Sequence, residues 1–130
     1  MSESGGRVLR RSIGIVFSDG GLLALSAVSP PGGGQHGDEQ VTTIICGPDG
    51  APTEISETLL STEYGADGIQ RRATLELWTD EDGQPLRGGG TLISAAKVRN
   101  PGTSSDVAFF RWALEGREGL GHYEIVREDD

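Results

Sequence analysis

The chain has 130 residues, 35% of them hydrophobic and 5% aromatic, with 20 Asp+Glu against 11 Lys+Arg and a formal charge of −9. That length suits one domain with its own core and is too short for two ordinary ones. The acidic balance argues against a nucleic acid or an anionic membrane surface as partner, because basic side chains must neutralise the phosphates of either.

Residues 1–6 read as a disordered N-terminal tail ahead of a single domain over 7–130. The first apolar segment follows basic residues, and Arg10-Arg11 imitates a twin-arginine signal. Ser18-Asp19-Gly20-Gly21 interrupts it after a few residues, as a hairpin turn does and a signal core should not. No stretch approaches the length of a membrane span, so the expected location is cytoplasmic.

Asp-Gly then recurs at 19–20, 49–50, 67–68 and 82–83, each time between segments rich in Thr, Val, Ile, Leu and aromatics. The dipeptide predicts two-residue type I′ hairpin turns, which need positive φ. Between the turns the predicted strands are 7–17, 22–28, 40–46, 53–64, 69–79, 86–98, 106–115 and 119–127. Two longer loops are expected, "SPPGGGQHGD" at 29–38 and "RNPGTSS" at 99–105. Cys46, the single cysteine, closes the apolar run "VTTIIC" and reads as a core thiol. Without a partner it requires no oxidising compartment.

Register follows from asking which pairings make chemical sense on both faces. A turn at Asp67-Gly68 sets Tyr64 opposite Arg71, Leu60 opposite Leu75 and Thr58 opposite Leu77. The other face then holds Glu63 with Arg72 and Leu59 with Glu76. In "EGREGLGHYE", a type II′ turn centred on Gly116-Arg117 sets Phe110 opposite Tyr123, Trp112 opposite Gly121 and Leu114 opposite Gly119. Phe109 with Glu124, Arg111 with His122 and Ala113 with Leu120 fall on the opposite face. Gly119 and Gly121 therefore share a face with Trp112 and Tyr123, and their missing side chains leave room for aromatic rings. A phosphate loop would need such glycines between a strand and a helix N-terminus, which this pattern does not offer.

An antiparallel up-and-down meander of about eight strands has an economical closure as a β-barrel, which removes its exposed edges. Such barrels are either filled by side chains or hold one small ligand. The inward set is Leu60, Leu75, Leu77, Leu92, Phe110, Trp112 and Tyr123, interleaved with Gly88, Gly90, Ser94, Ala96, Gly119 and Gly121. With Tyr64, the larger of these residues (Trp112, Tyr123, Phe110, Leu75, Leu77, Leu92) form the candidate ligand-binding surface. His122 and Glu124 share a strand face with Arg111 opposite, so a proton-transfer group with a carboxylate partner is geometrically available. The same three residues also suit an ordinary charged outer face. His36 and His122 lie far apart without clustered Cys or carboxylates, no serine sits in a Gly-x-Ser-x-Gly elbow, and no cofactor or metal is expected.

The run from "GAPTEISETLLSTEYGADGIQRRATLELWTDEDGQPL" into "FFRWALEGREGLGHYE" resembles the C-terminal half of the lipocalin-like proteins related to AttH and to the carotenoid hydratases of the hydroxyneurosporene synthase type. Its most distinctive piece is Gly116-Arg117-x-Gly119-x-Gly121-x-x-Glu124 after an aromatic strand with Trp112. The resemblance implies a lipocalin-like, calycin-type barrel and, in some members, acid-promoted hydration of long apolar isoprenoids. These proteins usually pair two barrel domains in one longer chain, so the resemblance leaves open a homodimer, a separate partner barrel domain, or a chain that is itself one half of a two-domain protein. No catalytic acid of the hydratases matches a position in this chain.

Three functions are expected from these observations. The first is a barrel binding a small apolar or amphipathic metabolite in its interior. The second is an enzyme acting on an isoprenoid or polyketide-type substrate by acid/base chemistry, with Glu124, His122 and Arg111 as its groups and Tyr123 as a further candidate pointing into the interior. The third is a non-catalytic pairing domain with a filled interior, marked by a dimer or an apolar patch in place of a cavity.

Overall fold

A computed structural model describes residues 7–29, 39–79 and 83–129. The predicted tail over 1–6, most of the loop at 29–38 with His36, and the turn at Asp82 lie outside the described residues. The described chain is all β, with strands β1 (Val8–Phe17), β2 (Leu22–Val28), β3 (Gln40–Cys46), β4 (Pro52–Glu54), β5 (Glu57–Tyr64), β6 (Gln70–Trp78), β7 (Leu86–Asn100), β8 (Thr103–Leu114) and β9 (Arg117–Glu128). Among the described residues no helix is long and apolar enough to cross a membrane.

Three of the Asp-Gly turns share one geometry, and it is not the two-residue turn the dipeptide predicts. Gly20, Gly50 and Gly68 alone take positive φ, at 94°, 83° and 80°. Each donates its N–H to a carbonyl three residues back, on Phe17, Gly47 and Gly65 respectively. The aspartate before each glycine accepts at Oδ1 from the N–H two residues on, at 2.9 Å from Gly21, 3.0 Å from Ala51 and 3.0 Å from Ile69. That side-chain bond holds the aspartate at negative φ, so the turn needs an extra residue and a glycine bulge. At the β5–β6 hairpin the extra residue sets Tyr64 opposite Gln70 instead of Arg71, while Leu60 with Leu75, Thr58 with Leu77, Leu59 with Glu76 and Glu63 with Arg72 pair as expected.

The β8–β9 hairpin holds the only non-glycine with positive φ among the described residues, Glu115 at 49°, followed by Gly116 at 82°. Two successive positive φ values make a type I′ turn one residue earlier than the type II′ turn expected. Every pairing moves by two: Phe110 faces Gly121, Trp112 faces Gly119, and Ala108 faces Tyr123. An even shift keeps every side chain on its expected face, so the inside-outside assignment survives the register error. The predicted loop at 99–105 is instead a tight turn, because Pro101 presets φ and Gly102 takes φ 80°, letting Asn100 pair with Thr103. The predicted strand 53–64 divides at Ile55-Ser56 into β4 and β5.

The nine strands form one antiparallel meander in the order β4-β3-β2-β1-β9-β8-β7-β6-β5, curled into a half-barrel. First and last strands pair in the middle of the sheet, as barrel closure requires. The ladder breaks instead between β4 and β5, which are the two edges. Across that seam Thr43 on β3 and Thr58 on β5 share a hydrogen bond of 2.7 Å.

Inside, large rings lie beside residues without side chains. Trp112 sits between Gly90 and Gly119 on the adjoining strands, and a Cβ on Gly90 would come within 2.6 Å of the indole. Gly119 and Gly121 have a different reason to be glycine from the one expected. A Cβ at Gly121 would lie 1.8 Å from the Gly14 carbonyl oxygen, and one at Gly119 would lie 2.5 Å from that of Val16. Their missing side chains admit the β1 backbone. A bulge between Leu92 and Ser94 reverses the remainder of β7, so Ser94 and Ala96 face outward, and Ala95 and Lys97 take their places opposite Ala108 and Asp106.

Candidate functional site

The inward candidates are spent on one another. Trp112, Tyr123, Phe110, Leu75 and Leu77 are each at most 2% exposed. Phe110 stacks on Trp112 at 5.1 Å and meets Tyr123 edge-on at 5.8 Å. The Trp112 indole donates to the Gly121 carbonyl at 3.3 Å. Leu92 packs against this core at partial burial, and Tyr64 is 46% exposed with the Arg127 guanidinium 5.9 Å from its ring centre. Cys46 is not in the core: it is half-buried, alternates with buried Ile45, and so faces outward.

One inner layer is polar. Asp106, 3% exposed, receives Lys97 Nζ at 2.8 Å and pairs with Arg127 Nη1. Gln70, fully buried, donates both amide hydrogens, to the Tyr123 carbonyl at 2.7 Å and the Asp106 carbonyl at 3.0 Å. The Tyr123 hydroxyl and Thr62 hydroxyl are 2.6 Å apart, and burial pushes the phenol above its ordinary pKa. Arg11 donates from Nε to Glu39 at 3.0 Å. Burial opposes the Arg11 charge, but the Glu39 carboxylate and Tyr123 outweigh it and raise the guanidinium's pKa. These contacts tie strands together, and Gln70 in particular joins β6 to β8 and β9 across the interior.

The three residues read as a proton-transfer constellation lie on the outer face. Glu124 is half-buried, 3.8 Å from Arg10. The exposed His122 lies over Gly14, where a Cβ would come 2.7 Å from the imidazole Cε1. Arg111 pairs across strands with Thr91 and Leu120, and its guanidinium makes no hydrogen bond or ion pair among the described residues.

Arg111 belongs to a different grouping, which the sequence did not suggest. A cleft of about 470 Å³ opens over Gly88, Gly89 and Gly90, with Arg72, Thr74, Thr91, Arg111, Ala113 and Glu118 around it. The register builds it. Arg72, Thr91 and Arg111 stand abreast on β6, β7 and β8, and the next outward row is Thr74, Gly89, Ala113 and Glu118. The second row is nearly flat in its middle, so the tall first row overhangs an open floor.

The charge pattern around this cleft is selective. Of the chain's 11 basic residues, eight make ion pairs, namely Arg7, Arg10, Arg11, Arg71, Arg87, Lys97, Arg117 and Arg127. Among the described residues only Arg72, Arg99 and Arg111 do not, although carboxylates outnumber cations almost two to one in the chain. Two of these three line the same cleft. A planar guanidinium with free donors is suited to bidentate recognition of a carboxylate or phosphate. Glu118 on the opposite rim disfavours a second negative charge there. No family model and no curated protein matches this chain.

Proposed function

We propose that the chain is a small-molecule-binding module that holds an amphipathic anion in the outer cleft. The sequence led to a small apolar or amphipathic metabolite in the interior; this reading adds a negative charge to the ligand and moves it to the opposite face of the sheet. The carrying observation is that Arg72 and Arg111, neither of which makes an ion pair among the described residues even though Glu63 stands opposite Arg72, flank one cleft in a chain of charge −9. Its volume falls within the range of roughly 300–1,000 Å³ typical of small-molecule sites. The apolar side of the ligand rests on the glycine floor and Ala113, and its acid group lies between the two arginines. The lining contains one carboxylate, Glu118, and no histidine, which favours binding over turnover. In this reading the half-barrel is of lipocalin-like kind, related to the AttH and carotenoid hydratase proteins. The pairing of β1 with β9 and the Gly116-Arg117-x-Gly119-x-Gly121 segment support that kinship.

Benzoate and its neutral analogue benzamide separate anion recognition from apolar contact. Titration followed by ¹H–¹⁵N correlation spectra should show saturable benzoate shifts at Gly89, Thr91 and Ala113, with benzamide much weaker. Arg72→Gln and Arg111→Gln should each weaken binding roughly tenfold, the scale of one charge-assisted hydrogen bond. Arg99→Gln should leave it unchanged. Equal binding of benzamide, or an equal loss with Arg99→Gln, would remove the basis of the proposal.

A further inference from the structure

Between β3 and β8 the outer face carries two adjacent cross-strand rows without a carboxylate, bounded beyond Ile44 by Glu54 on β4 and, past Arg111, Thr91 and Arg72, by Glu63 on β5. One is Cys46, Leu22, Val16, Leu120 and Arg111; the other is Ile44, Ala24, Gly14, His122 and Phe109. Val16 is 68% exposed, and Leu22, Ile44, Leu120 and Phe109 are between 43% and 48% exposed. Glu118 and Glu124 mark the limits of the patch along β9, on either side of Leu120 and His122. We propose that this face packs against the same face of a second copy of the chain.

The choice of partner rests on charge. Two copies, each at −9, repel at long range, and a surface that brings no carboxylates together adds least to that repulsion at contact. An isologous contact must also be self-complementary, because the same patch supplies both sides. Apolar side chains meet that condition without any matching of sign. His122, laid over Gly14, fills the hollow at the middle of the patch. Arg111, the one charged group in either row, stands at the margin. Contiguous exposed apolar side chains of this kind mark association surfaces, and two sheets pack face to face when side chains from each interdigitate. The sheet edges β4 and β5 lie outside this contact.

Sedimentation velocity over a concentration series tests the pairing. The wild-type chain should dimerise, and more tightly as NaCl rises from about 0.05 M to about 0.5 M, because salt screens the like charges while the apolar contact persists. Val16→Glu should weaken the dimer at least a hundredfold, since each dimer then holds two buried carboxylates. Val16→Thr, which keeps a β-branched residue in the strand, should weaken it several-fold without risk to folding. Leu59→Glu on edge strand β5 should leave it intact. A wild-type chain that stays monomeric overturns the proposal. So does a dimer that survives both Val16 variants, one broken by Leu59→Glu, or one that tightens as salt is removed.

Discussion

Gly121→Ala is expected to destabilise the fold by about 3 kcal/mol or more, at or beyond the upper end for an overpacked core. The added methyl would fall 1.8 Å from the Gly14 carbonyl oxygen and 2.7 Å from Ile15 Cα. Those are backbone atoms held in the β1–β9 ladder, where Ile15 faces Gly121, so relief requires the two strands to separate. Gly14→Ala offers an internal comparison. Its methyl would meet the exposed His122 ring at 2.7 Å, and that ring can rotate away, so the change should cost less than about 1 kcal/mol. Urea denaturation of the two variants gives the answer. Equal losses would mean that the strand approach at Gly121 is not what requires glycine.

The second large effect is expected at Asp106. Its carboxylate is 3% exposed and is shared by Lys97 and Arg127, whose side chain is itself only 14% exposed. Asp106→Asn should cost about 3 kcal/mol, because removing one partner leaves the Arg127 charge shielded from water without compensation. Most of that loss belongs to the stranded arginine. Asp106→Asn combined with Arg127→Met should therefore be more stable than the sum of the two single changes predicts. Strict additivity in the denaturant midpoints would show that the two groups do not act as a pair.

The comparison of sequence with structure turns on what Asp-Gly encodes. At 19–20, 49–50 and 67–68 the dipeptide located the turns correctly, because positive φ at glycine is a local property. It did not disclose turn length, which depends on whether the aspartate side chain caps the N–H two residues on. Turn length accounts for the misplaced partner of Tyr64, whereas that of Trp112 follows from a two-residue turn lying one residue earlier than expected. Faces proved more robust than pairings, since a two-residue error preserves them. Beyond the bulge in β7 that protection failed, and Ser94 and Ala96 were assigned inward. The division of 53–64 at Ile55-Ser56 carried no glycine or proline signal at the break.

The candidate site was less legible for a physical reason. Arg72 and Arg111 are separated by 38 intervening residues, and only correct register on both sides of β7 brings them abreast of Thr91. The run Gly88-Gly89-Gly90 was visible, but its meaning is divided: Gly90 makes space for Trp112 on the inside, and Gly89 opens the cleft on the outside. That these two arginines make no ion pair among the described residues of so acidic a chain is a fact of three-dimensional placement alone.

The position of the sheet's one discontinuity bears on how the chain folds. Glu128 N–H donates to the Arg7 carbonyl at 2.8 Å, so the described segment nearly closes on itself. Bridging those ends and cutting at Ile55-Ser56 would make order along the chain identical to order across the sheet. Every ladder would then join neighbours in sequence. In the natural connectivity the β1–β9 ladder is the exception, and it spans almost the whole polypeptide. Two meanders, β1–β4 and β5–β9, can each form from nearby residues, but their union must wait for a large loop to close. That union sets the pace of folding, and the permuted chain, with its lower contact order, should reach the same half-barrel faster in stopped-flow refolding.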